Sequence, residues 1–508
     1  MKTFGAIYIG TSEMSLRIYE ISSKKQYKDL DFVKVRTDME KDILRNGSVA
    51  EETIRKISET LLRFSEVLDT YAVKAYEVYI TPSIRNASNR LFFIEHIKLT
   101  TGMELKELSN SEQKFFDILV FGERPEYEKM SKEGIIVVDV GGSSMQLSLI
   151  NNGEFVTTQH VPFSPVRIRE QLRRFDLTSG DRKAQIHEMI NKEVSIFLDM
   201  YREYAKVSHL IIIGDYISDA IRKAEKKNND RAMDRDYTLS LMNKIIESGN
   251  IRISGEHEDY SNFDSLSQAY FMVYYGIIES ITTDDVWILG TTTHEGIFLN
   301  YCYNNKLLKP THDFEKDVIS ACRYQAARYR NAPAHDEALK KTAFCIFDAM
   351  KKLHGLGKRD RLLLEVAIML HDCGRYVSLD RRAICSYEII ISQEIIGLSH
   401  LERKIVAYVA RFNRDELPPL DELLNLTAEA YVRIAKLSAI IKLAAALDST
   451  GTQKVRDISC TIKNDSLIVS VDSAEDLTAE HIDFDTRAEL FGRIFNLKPV
   501  LRERRVIG

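Results

Sequence analysis

The sequence has few of the features that mark several large classes of protein. Its six cysteines show no Cys-x-x-Cys spacing, and several fall within apolar helical patterns. Buried reduced thiols therefore fit better than a zinc site or a disulfide framework. Basic residues do not exceed acidic ones, and the formal net charge is −5. Because such a chain has no overall attraction for nucleic acid, we expect no nucleic-acid partner, and any anion-binding site must be local.

Long apolar runs are absent as well. No run reaches the ~18 residues expected of a membrane span. The first ten residues, MKTFGAIYIG, enter a strand pattern directly and contain no signal-peptide core. The chain has no low-complexity tract and no long Gly/Ser linker. We expect a cytoplasmic protein without a membrane partner.

A strand–turn–strand pattern occurs twice. Residues 135–150 read IIVVDVGGSSMQLSLI, in which an apolar run ends at Asp139 and a turn of glycine and serine follows. Residues 6–18 read AIYIGTSEMSLRI, and one constant offset places Gly10 on Gly141 and Tyr8 on Asp139. Repetition of a whole unit predicts two related subdomains whose turns line one cleft. Turns without bulky side chains let backbone N–H groups approach a phosphate, and a carboxylate at a strand end can hold a cation beside it.

The rest of the chain changes character twice. Alternating strand and helix patterns up to about residue 300 predict an α/β class. Helical apolar spacing then continues to about residue 450, and short alternating strands with one helix follow. We predict four domains: α/β subdomains at 1–125 and 126–304, a helical domain at 305–450, and a small α+β domain at 451–508.

Four stretches resemble motifs of the exopolyphosphatase/guanosine pentaphosphate phosphohydrolase family. They are the hairpin at 8–16, the TPSIRNASNR signature at 81–90, LSNSEQ at 108–113, and the hairpin at 139–147. The helical part is similar to the HD-type domain of longer members, and the last part to their small C-terminal domain. The resemblance implies a duplicated actin- and sugar-kinase-like (ribonuclease H-like) α/β fold, an all-α HD-type domain and a small α+β domain. It also implies a homodimer.

The same resemblance implies hydrolysis of the terminal phosphate of inorganic polyphosphate or of guanosine pentaphosphate, with Mg²⁺ as cofactor. Glu112 would act as general base toward water, although Ser109 and Glu112 also form a capping-box pattern, which leaves a structural role open. Arg85 could grip a phosphate near a helix N-terminus, or be an ordinary surface arginine. The implied phosphate-binding positions are Gly10, Thr11, Ser12, Arg85, Gly141, Gly142, Ser143 and Ser144.

Asp139 is the candidate magnesium ligand. It ends an apolar strand, where a carboxylate is costly unless it holds a cation or hydrogen bonds, and it could instead cap its own turn. The family usually has an aspartate at Tyr8 and a glutamate at Gln146, and neither replacement supplies a negative charge. Glu13 adds an acid to the first turn. We therefore expect activity to be conditional on Asp139 acting with Glu112 or Glu13.

The HD-type region holds a second candidate metal site. His371 and Asp372 follow an apolar run, and His335 upstream and Asp448 downstream complete a set that suits a divalent metal. A buried His–Asp pair can also be a satisfied polar contact in a helical core, and this interpretation is the one we favour.

Three functions stay open on the sequence. The leading one is the magnesium-assisted phosphohydrolase. The second is a catalytically impaired regulatory protein that binds polyphosphate or an alarmone nucleotide. The third places the chemistry in the HD-type domain, as a metal-dependent phosphohydrolase.

Overall fold

A computed structural model shows how these patterns fold. It describes residues 2–11, 13–22, 26–37, 39–141, 144–163, 165, 168, 171, 175, 179–225, 232–248, 265–290, 293–329, 332–423 and 426–505. The chain divides into two compact units, Met1–Phe314 and Glu315–Gly508. No helix in the described ranges is both long and apolar enough to cross a membrane.

The first unit contains two mixed sheets flanked by helices. Its elements are β1 (Lys2–Ile9), β2 (Glu13–Ile21), β3 (Tyr27–Arg36), α1 (Met39–Asn46), α2 (Glu51–Thr70), β4 (Ala75–Ile80), α3 (Arg90–Thr101), β5 (Leu105–Glu107), α4 (Asn110–Gly122), α5 (Tyr127–Glu133), β6 (Ile135–Val140), β7 (Met145–Asn151), β8 (Glu154–Val161), α6 (Ser179–Met200), β9 (His209–Ile213), α7 (Asp215–Glu225), β10 (Met233–Asp234), α8 (Arg235–Ser248), α9 (Ser265–Ser280), β11 (Asp285–Leu289) and α10 (Thr293–Asn304).

The two sheets have the same core order. The first runs β3-β2-β1-β4-β5, and the second runs β8-β7-β6-β9-β11-β10. In each sheet the first three strands form an antiparallel meander, and the next strand, β4 or β9, is parallel to β1 or β6. The predicted duplication of an α/β unit is confirmed by this order. The boundaries at residues 125, 304 and 450 stay predictions.

Central strands carry the apolar residues that the sequence pattern suggested. Every residue of β6 except Asp139 is apolar and buried, which is typical of a strand covered on both faces. In the first sheet, Ile57, Leu61 and Phe64 of α2 pack under β1 and β2. In the central strand β6, Asp139 is the one polar residue, and it lies one position before the end of the strand.

The second unit is mostly helical, as the apolar spacing predicted. One apolar core joins its helices to a small three-stranded sheet of order β12-β13-β14. Its elements are α11 (Phe314–Arg328), α12 (Pro333–Ala349), α13 (Lys358–Leu370), α14 (Arg382–Ser392), α15 (His400–Phe412), α16 (Ala428–Ala445), β12 (Asp457–Lys463), β13 (Ser466–Ser473), α17 (Thr478–Phe495) and β14 (Lys498–Arg505).

Helix α10 lies close against α4, the helix that carries Glu112. A β-carbon added at Gly296 would lie 2.5 Å from the carbonyl oxygen of Phe116 and would also contact the Phe116 side chain. Glycine is therefore required by close approach of the two helices. This contact fixes the position of α4 relative to the second sheet.

We predict that Gly296→Ala destabilises the first unit by about 1–3 kcal/mol because the added methyl overpacks against the α4 backbone. An ordinary Gly→Ala change within a helix would stabilise the protein by roughly 1 kcal/mol. The sign of the change in unfolding free energy therefore distinguishes overpacking from the ordinary helix effect. The measurement is urea unfolding followed by the fluorescence of Trp287, the sole tryptophan, which lies in β11. Asn304→Ala, at the exposed end of α10, is the control and should be nearly neutral. A stabilised Gly296→Ala protein would contradict the close packing.

In the second unit, α13 and α15 are joined by a charged pair. Arg359 donates from Nε to Glu402 Oε1 over 2.7 Å and from Nη2 to Oε2 over 2.8 Å. Glu402 also accepts from the backbone N–H of Ser399 as part of a capping box. Burial alone would raise the pKa of Glu402, but the bonds and charge of Arg359 lower it below the ordinary value.

We predict that Glu402→Gln destabilises the second unit by about 1–3 kcal/mol at pH 7 because a charged, bidentate partner of Arg359 is lost. The folded-state pKa of Glu402 is depressed, so its stabilisation is complete above the unfolded pKa of about 4.3 and is lost as the pH falls through the folded value. Urea unfolding by far-UV circular dichroism at pH 7 and pH 3 measures both effects. Glu429→Gln, an exposed first-turn position of α16, is the control. A difference that does not shrink at the lower pH would contradict the ionised pair.

Candidate functional site: the paired hairpins

The two hairpins close in the same way. The backbone N–H of Gly10 donates to Glu13 O over 2.8 Å, and that of Gly141 donates to Ser144 O over 2.9 Å. Their cross-strand registers also correspond, since Tyr8 pairs with Ser15 where Asp139 pairs with Gln146. The constant offset seen in the sequence is therefore a structural equivalence.

The turns themselves are partly described. A β-carbon at Gly10 would lie 2.8 Å from Glu13 O, so only glycine fits this turn. Thr11 and Ser144 are half-buried at the two turns, and Thr11 O accepts from the Thr37 hydroxyl over 3.2 Å. Three of the predicted phosphate-binding residues lie outside the described residues: Ser12, Gly142 and Ser143.

The predicted signature and the start of α4 reach the same edge of the first sheet as the Gly10 turn. Thr81 N donates to Ile9 O over 2.9 Å, and Leu108 N donates to Ile80 O over 3.1 Å. The ends of β1, β4 and β5 thus lie side by side. This edge is where open α/β sheets commonly hold ligands.

Arg85 lies in a 3-10 turn, Pro82–Asn86, directly after β4. Its Nε lies 3.7 Å from Glu107 Oε2, and Arg90 Nη1 lies 3.3 Å from the same oxygen. Two guanidinium groups therefore share one carboxylate at the end of β5. An anion that binds Arg85 either displaces Glu107 or binds beside it, attracted by the net positive charge of the two arginines and one glutamate.

Asn89 has a structural role within the same signature. Its side-chain oxygen accepts from Val49 N over 3.0 Å, and its amide nitrogen donates to Val49 O over 2.8 Å. The side chain thus imitates a strand partner for the segment that precedes α2. Asn89 is also the N-cap residue of α3, but its side chain makes no capping bond there, so its structural role is the link to Val49.

Glu112 forms the capping box that its spacing from Ser109 predicts. Its Oε2 accepts from both the backbone N–H and the hydroxyl of Ser109 over 2.8 Å, and Glu112 N donates to Ser109 Oγ over 3.1 Å. The capping role is therefore present. These contacts also fix the carboxylate at the start of α4, beside the strand ends, where a base would be needed.

Lys114 is the functional candidate that the sequence reasoning missed. Its side chain is fully buried, and its Nζ lies 3.6 Å from Asp139 Oδ2 and 3.5 Å from Asp117 Oδ2. Within the described part of the chain, this nitrogen has no hydrogen-bond partner. A signal was available: Ser111, Lys114 and Ile118 fall at helical spacing on the buried face of α4, and a lysine is rare there without a partner.

Tyr8 supplies no negative charge at this site. Burial raises the pKa of its phenol far above the ordinary value, the hydrogen bond with the Thr81 side chain lowers it only in part, and the charges of Asp139, Asp117 and Glu13 raise it further. Tyr8 is therefore neutral at physiological pH. These charge effects also place Tyr8 in the same cluster as the Lys114 ion pairs.

Gln146, Ser15 and His294 complete the cluster. Gln146 is buried, lies across from Asp139 in the sheet, and its Oε1 has no hydrogen-bond partner among the described residues. Directly cross-strand side chains lie within about 5 Å of each other at Cβ. On the first hairpin, Ser15 Oγ and His294 Nε2 are 2.9 Å apart, and the His294 ring meets the Tyr8 ring edge to face.

These residues do not fit the predicted magnesium site. Magnesium is bound mostly through one or two carboxylates together with substrate oxygens. Here the Asp139 carboxylate faces an ammonium group, and Glu13 lies 3.5 Å from Lys34. Among the described residues, no group of three or more His, Cys, Asp or Glu side chains could hold a metal ion.

The second candidate metal set is only partly brought together. His335 Nδ1 lies 2.6 Å from Asp448 Oδ2, and the rings of His335 and His371 are 5.5 Å apart. His371 Nδ1 donates to the carbonyl of Ile368, and burial lowers the pKa of His371 to about 4. His371 is therefore a neutral, buried histidine held by the Ile368 carbonyl, and His335 beside it is held by Asp448.

Asp372 faces positive charge instead of the histidines. Its carboxylate lies within 4.0 Å of three guanidinium groups, those of Arg375, Arg382 and Arg414. Burial and the neighbouring Arg382 lower the pKa of Arg414 to about 10. A divalent cation does not fit beside these groups, and metal binding by His335, His371, Asp372 and Asp448 stays a prediction.

Comparison with known proteins gives matches over most of the chain. Residues 18–301 match the model of the Ppx/GppA phosphatase family, and residues 323–485 match Ppx/GppA phosphatase, domain III. The chain is 18% identical over 444 residues to the guanosine-5'-triphosphate,3'-diphosphate pyrophosphatase of Photobacterium profundum, which covers 85% of each chain.

Two further matches are partial. The chain is 25% identical over 176 residues to the bifunctional 3-dehydroquinate synthase/phosphatase of Fusobacterium nucleatum, covering 33% of this chain and only 26% of that protein. The crystal structure of an exopolyphosphatase from Cytophaga hutchinsonii superposes with a TM-score of 0.50 at 16% identity, covering 61% of this chain and all of that one. At that identity the structural likeness shows a shared fold.

We predict that Asn89→Ala destabilises the first unit by about 1–3 kcal/mol because two backbone groups of Val49 lose their partner. The measurement is urea unfolding followed by Trp287 fluorescence. Asn86→Ala, an exposed position in the same signature, is the matched control and should change stability by less than about 0.5 kcal/mol. Equal effects of the two substitutions would contradict the role assigned to Asn89.

Proposed function

The chain belongs to the Ppx/GppA phosphatase family, and on that premise we propose that it is a phosphohydrolase releasing the terminal phosphate of inorganic polyphosphate or of guanosine pentaphosphate. Curated and solved relatives are named as guanosine-5'-triphosphate,3'-diphosphate pyrophosphatase and exopolyphosphatase. Both names describe cleavage of a phosphoanhydride. The family is generally dependent on a divalent metal.

One observation carries the proposal: the duplicated hairpins. Two turns with the same closing hydrogen bond stand at the ends of equivalent strands in two sheets of the same order. Backbone N–H groups in such turns are fixed donors that cost no reorganisation when they meet an anion. A pair of these turns suits a chain of phosphates better than it suits a neutral substrate.

Glu112 is the proposed general base. Its carboxylate is held beside the strand ends by Ser109 and would accept a proton from the attacking water. The new bond joins the water oxygen to the terminal phosphorus, and the bond from that phosphorus to the bridging oxygen breaks. The shortened chain leaves with the electron pair and takes up a proton from solvent. Because the described residues do not fit magnesium at Asp139, no step is assigned to a metal.

Arg85 and the turn residues are the proposed phosphate ligands. Arg85 and Arg90 together carry two positive charges against the single charge of Glu107, which leaves a net attraction for phosphate at the end of β5. Thr11 and Ser144 would add hydroxyl donors, and Gly10 and Gly141, whose N–H groups close the turns, would let a phosphate approach without a side chain in its way. Ser12, Gly142 and Ser143 belong to the same proposal.

We predict that Glu112→Gln lowers phosphate release at least ~100-fold, the usual scale for loss of a general base. Glutamine can still take part in a capping box, so the fold is kept while the base is lost. Phosphate is measured with tripolyphosphate, long-chain polyphosphate and guanosine pentaphosphate, each with Mg²⁺ and with EDTA. Glu126→Gln, exposed between α4 and α5, is the matched control. Unchanged turnover in Glu112→Gln would exclude the assigned base.

A regulatory binding protein is the second candidate. It is favoured by the pairing of Asp139 with Lys114, by the neutral Tyr8 and by the engagement of Glu112 in its cap. Tight binding of a polyphosphate without phosphate release over hours would select this function. Chemistry in the HD-type region is the weakest candidate because Asp372 faces three arginines. A homodimer in the cytoplasm stays the expected assembly and location.

A further inference from the structure

We propose that Lys114 provides, from within the chain, the positive charge that a divalent metal would provide at Asp139, so that phosphate groups bind between the hairpins without magnesium. The part of this inference that concerns phosphate rests on the proposed function. The part that concerns metal does not, because it depends only on the surroundings of Asp139.

The position of Lys114 carries the inference. The lysine reaches from α4, which follows the first sheet, to the end of β6 in the second sheet, and its side chain is fully buried. Its Nζ is shared between Asp117 and Asp139 at nearly equal distances, 3.5 and 3.6 Å. A buried ammonium group is retained only if carboxylates compensate it, and the buried carboxylate of Asp117 and the partly buried one of Asp139 need a cation in the same way. Each group thus satisfies the requirement of the other.

A metal ion would have to displace this arrangement. A divalent cation bound to Asp139 would place two cations at one carboxylate, whose Oδ2 already lies 3.6 Å from the ammonium. Asp117 is a further carboxylate, but it is held by the same ammonium, while Tyr8 is neutral and Gln146 is an uncharged amide. Magnesium also requires near-octahedral oxygen geometry at about 2.1 Å, and the ammonium beside Asp139 Oδ2 competes with an ion for that oxygen.

The same groups suit an anion. A tyrosine hydroxyl and an amide nitrogen donate hydrogen bonds to phosphate oxygens, which the acidic residues usual at Tyr8 and Gln146 could not do when ionised. Lys114 offsets one of the two negative charges of Asp117 and Asp139 and so reduces their repulsion of the ligand. The expected ligand is a short polyphosphate or the phosphate chain of a nucleotide.

The first experiment measures the metal without any phosphate. Mn²⁺ is titrated into the full chain and the free ion is counted by electron paramagnetic resonance. We expect the wild-type protein and Asp139→Asn to bind the same number of ions. We expect Lys114→Ala, which leaves Asp117 and Asp139 without the ammonium, to gain one ion. An ion that the wild-type protein binds and Asp139→Asn loses would overturn the inference.

The second experiment measures tripolyphosphate binding by calorimetry, in EDTA and in Mg²⁺. We expect the wild-type dissociation constant to differ less than twofold between the two buffers. Lys114→Met, which keeps the volume and removes the charge, should bind at least tenfold more weakly in EDTA. Binding by the wild-type protein that is lost in EDTA and restored by Mg²⁺ would overturn the inference, and this arm needs no variant to fold.

The two arms separate the inference from the proposed function. If tripolyphosphate does not bind in either buffer, the proposed function and metal-free phosphate binding both fail, and the Mn²⁺ titration alone decides whether Lys114 replaces a metal. If tripolyphosphate binds only with Mg²⁺, the proposed function survives and the replacement by Lys114 is wrong.

Discussion

A carboxylate at the end of a buried strand has to be matched by positive charge, and at Asp139 the match is made by Lys114. This ion pair determines the charge of the hairpin site. It joins the helix after the first sheet to the central strand of the second, so the two halves of the first unit meet through buried charge. It also takes up the carboxylate on which magnesium binding would depend. The chain keeps the family's fold and hairpin turns, but it has a lysine–aspartate ion pair where the usual family pattern has additional acidic residues.

The duplicated hairpins have the same backbone register and closing hydrogen bond but differ in the charge of their side chains. In the first, the strand-end residues are neutral and are satisfied by hydrogen bonds, between Tyr8 and Thr81 and between Ser15 and His294. In the second, Asp139 is charged and is satisfied by an ion pair. The turns are dictated by glycine and by the shared register, whereas the residues one or two positions before each turn set the charge. Symmetry of the fold is therefore compatible with an asymmetric site.

Local features could be read from the sequence, and contacts between distant segments could not. The hairpin repeat, the α/β-to-helical change and the Ser109–Glu112 box depend on residues within a few positions of one another, and the sheet order and capping bonds confirm them. The partners of Asp139 and Arg85 come from other elements, which no spacing rule identifies. Asp372 shows the same limit, since Arg414 approaches it from a different helix end. The sequence does contain one signal of the ion pair, because Lys114 falls on the apolar face of α4. A charged residue at a predicted buried position indicates an unseen partner of opposite charge.

The shared ammonium of Lys114 has a consequence for how such a chain can change over generations. Positions 8, 114, 117 and 139 belong to one charge balance, so substitutions there are not independent. Loss of Lys114 alone leaves the carboxylates of Asp117 and Asp139 without their shared cation, and a new acid in place of Tyr8 alone adds a third carboxylate. A metal-binding site rich in carboxylates would therefore require both substitutions, the loss of Lys114 and the gain of an acid at position 8. Whichever occurs first leaves an intermediate with uncompensated negative charge. The buried lysine therefore constrains which substitutions the site can accept one at a time.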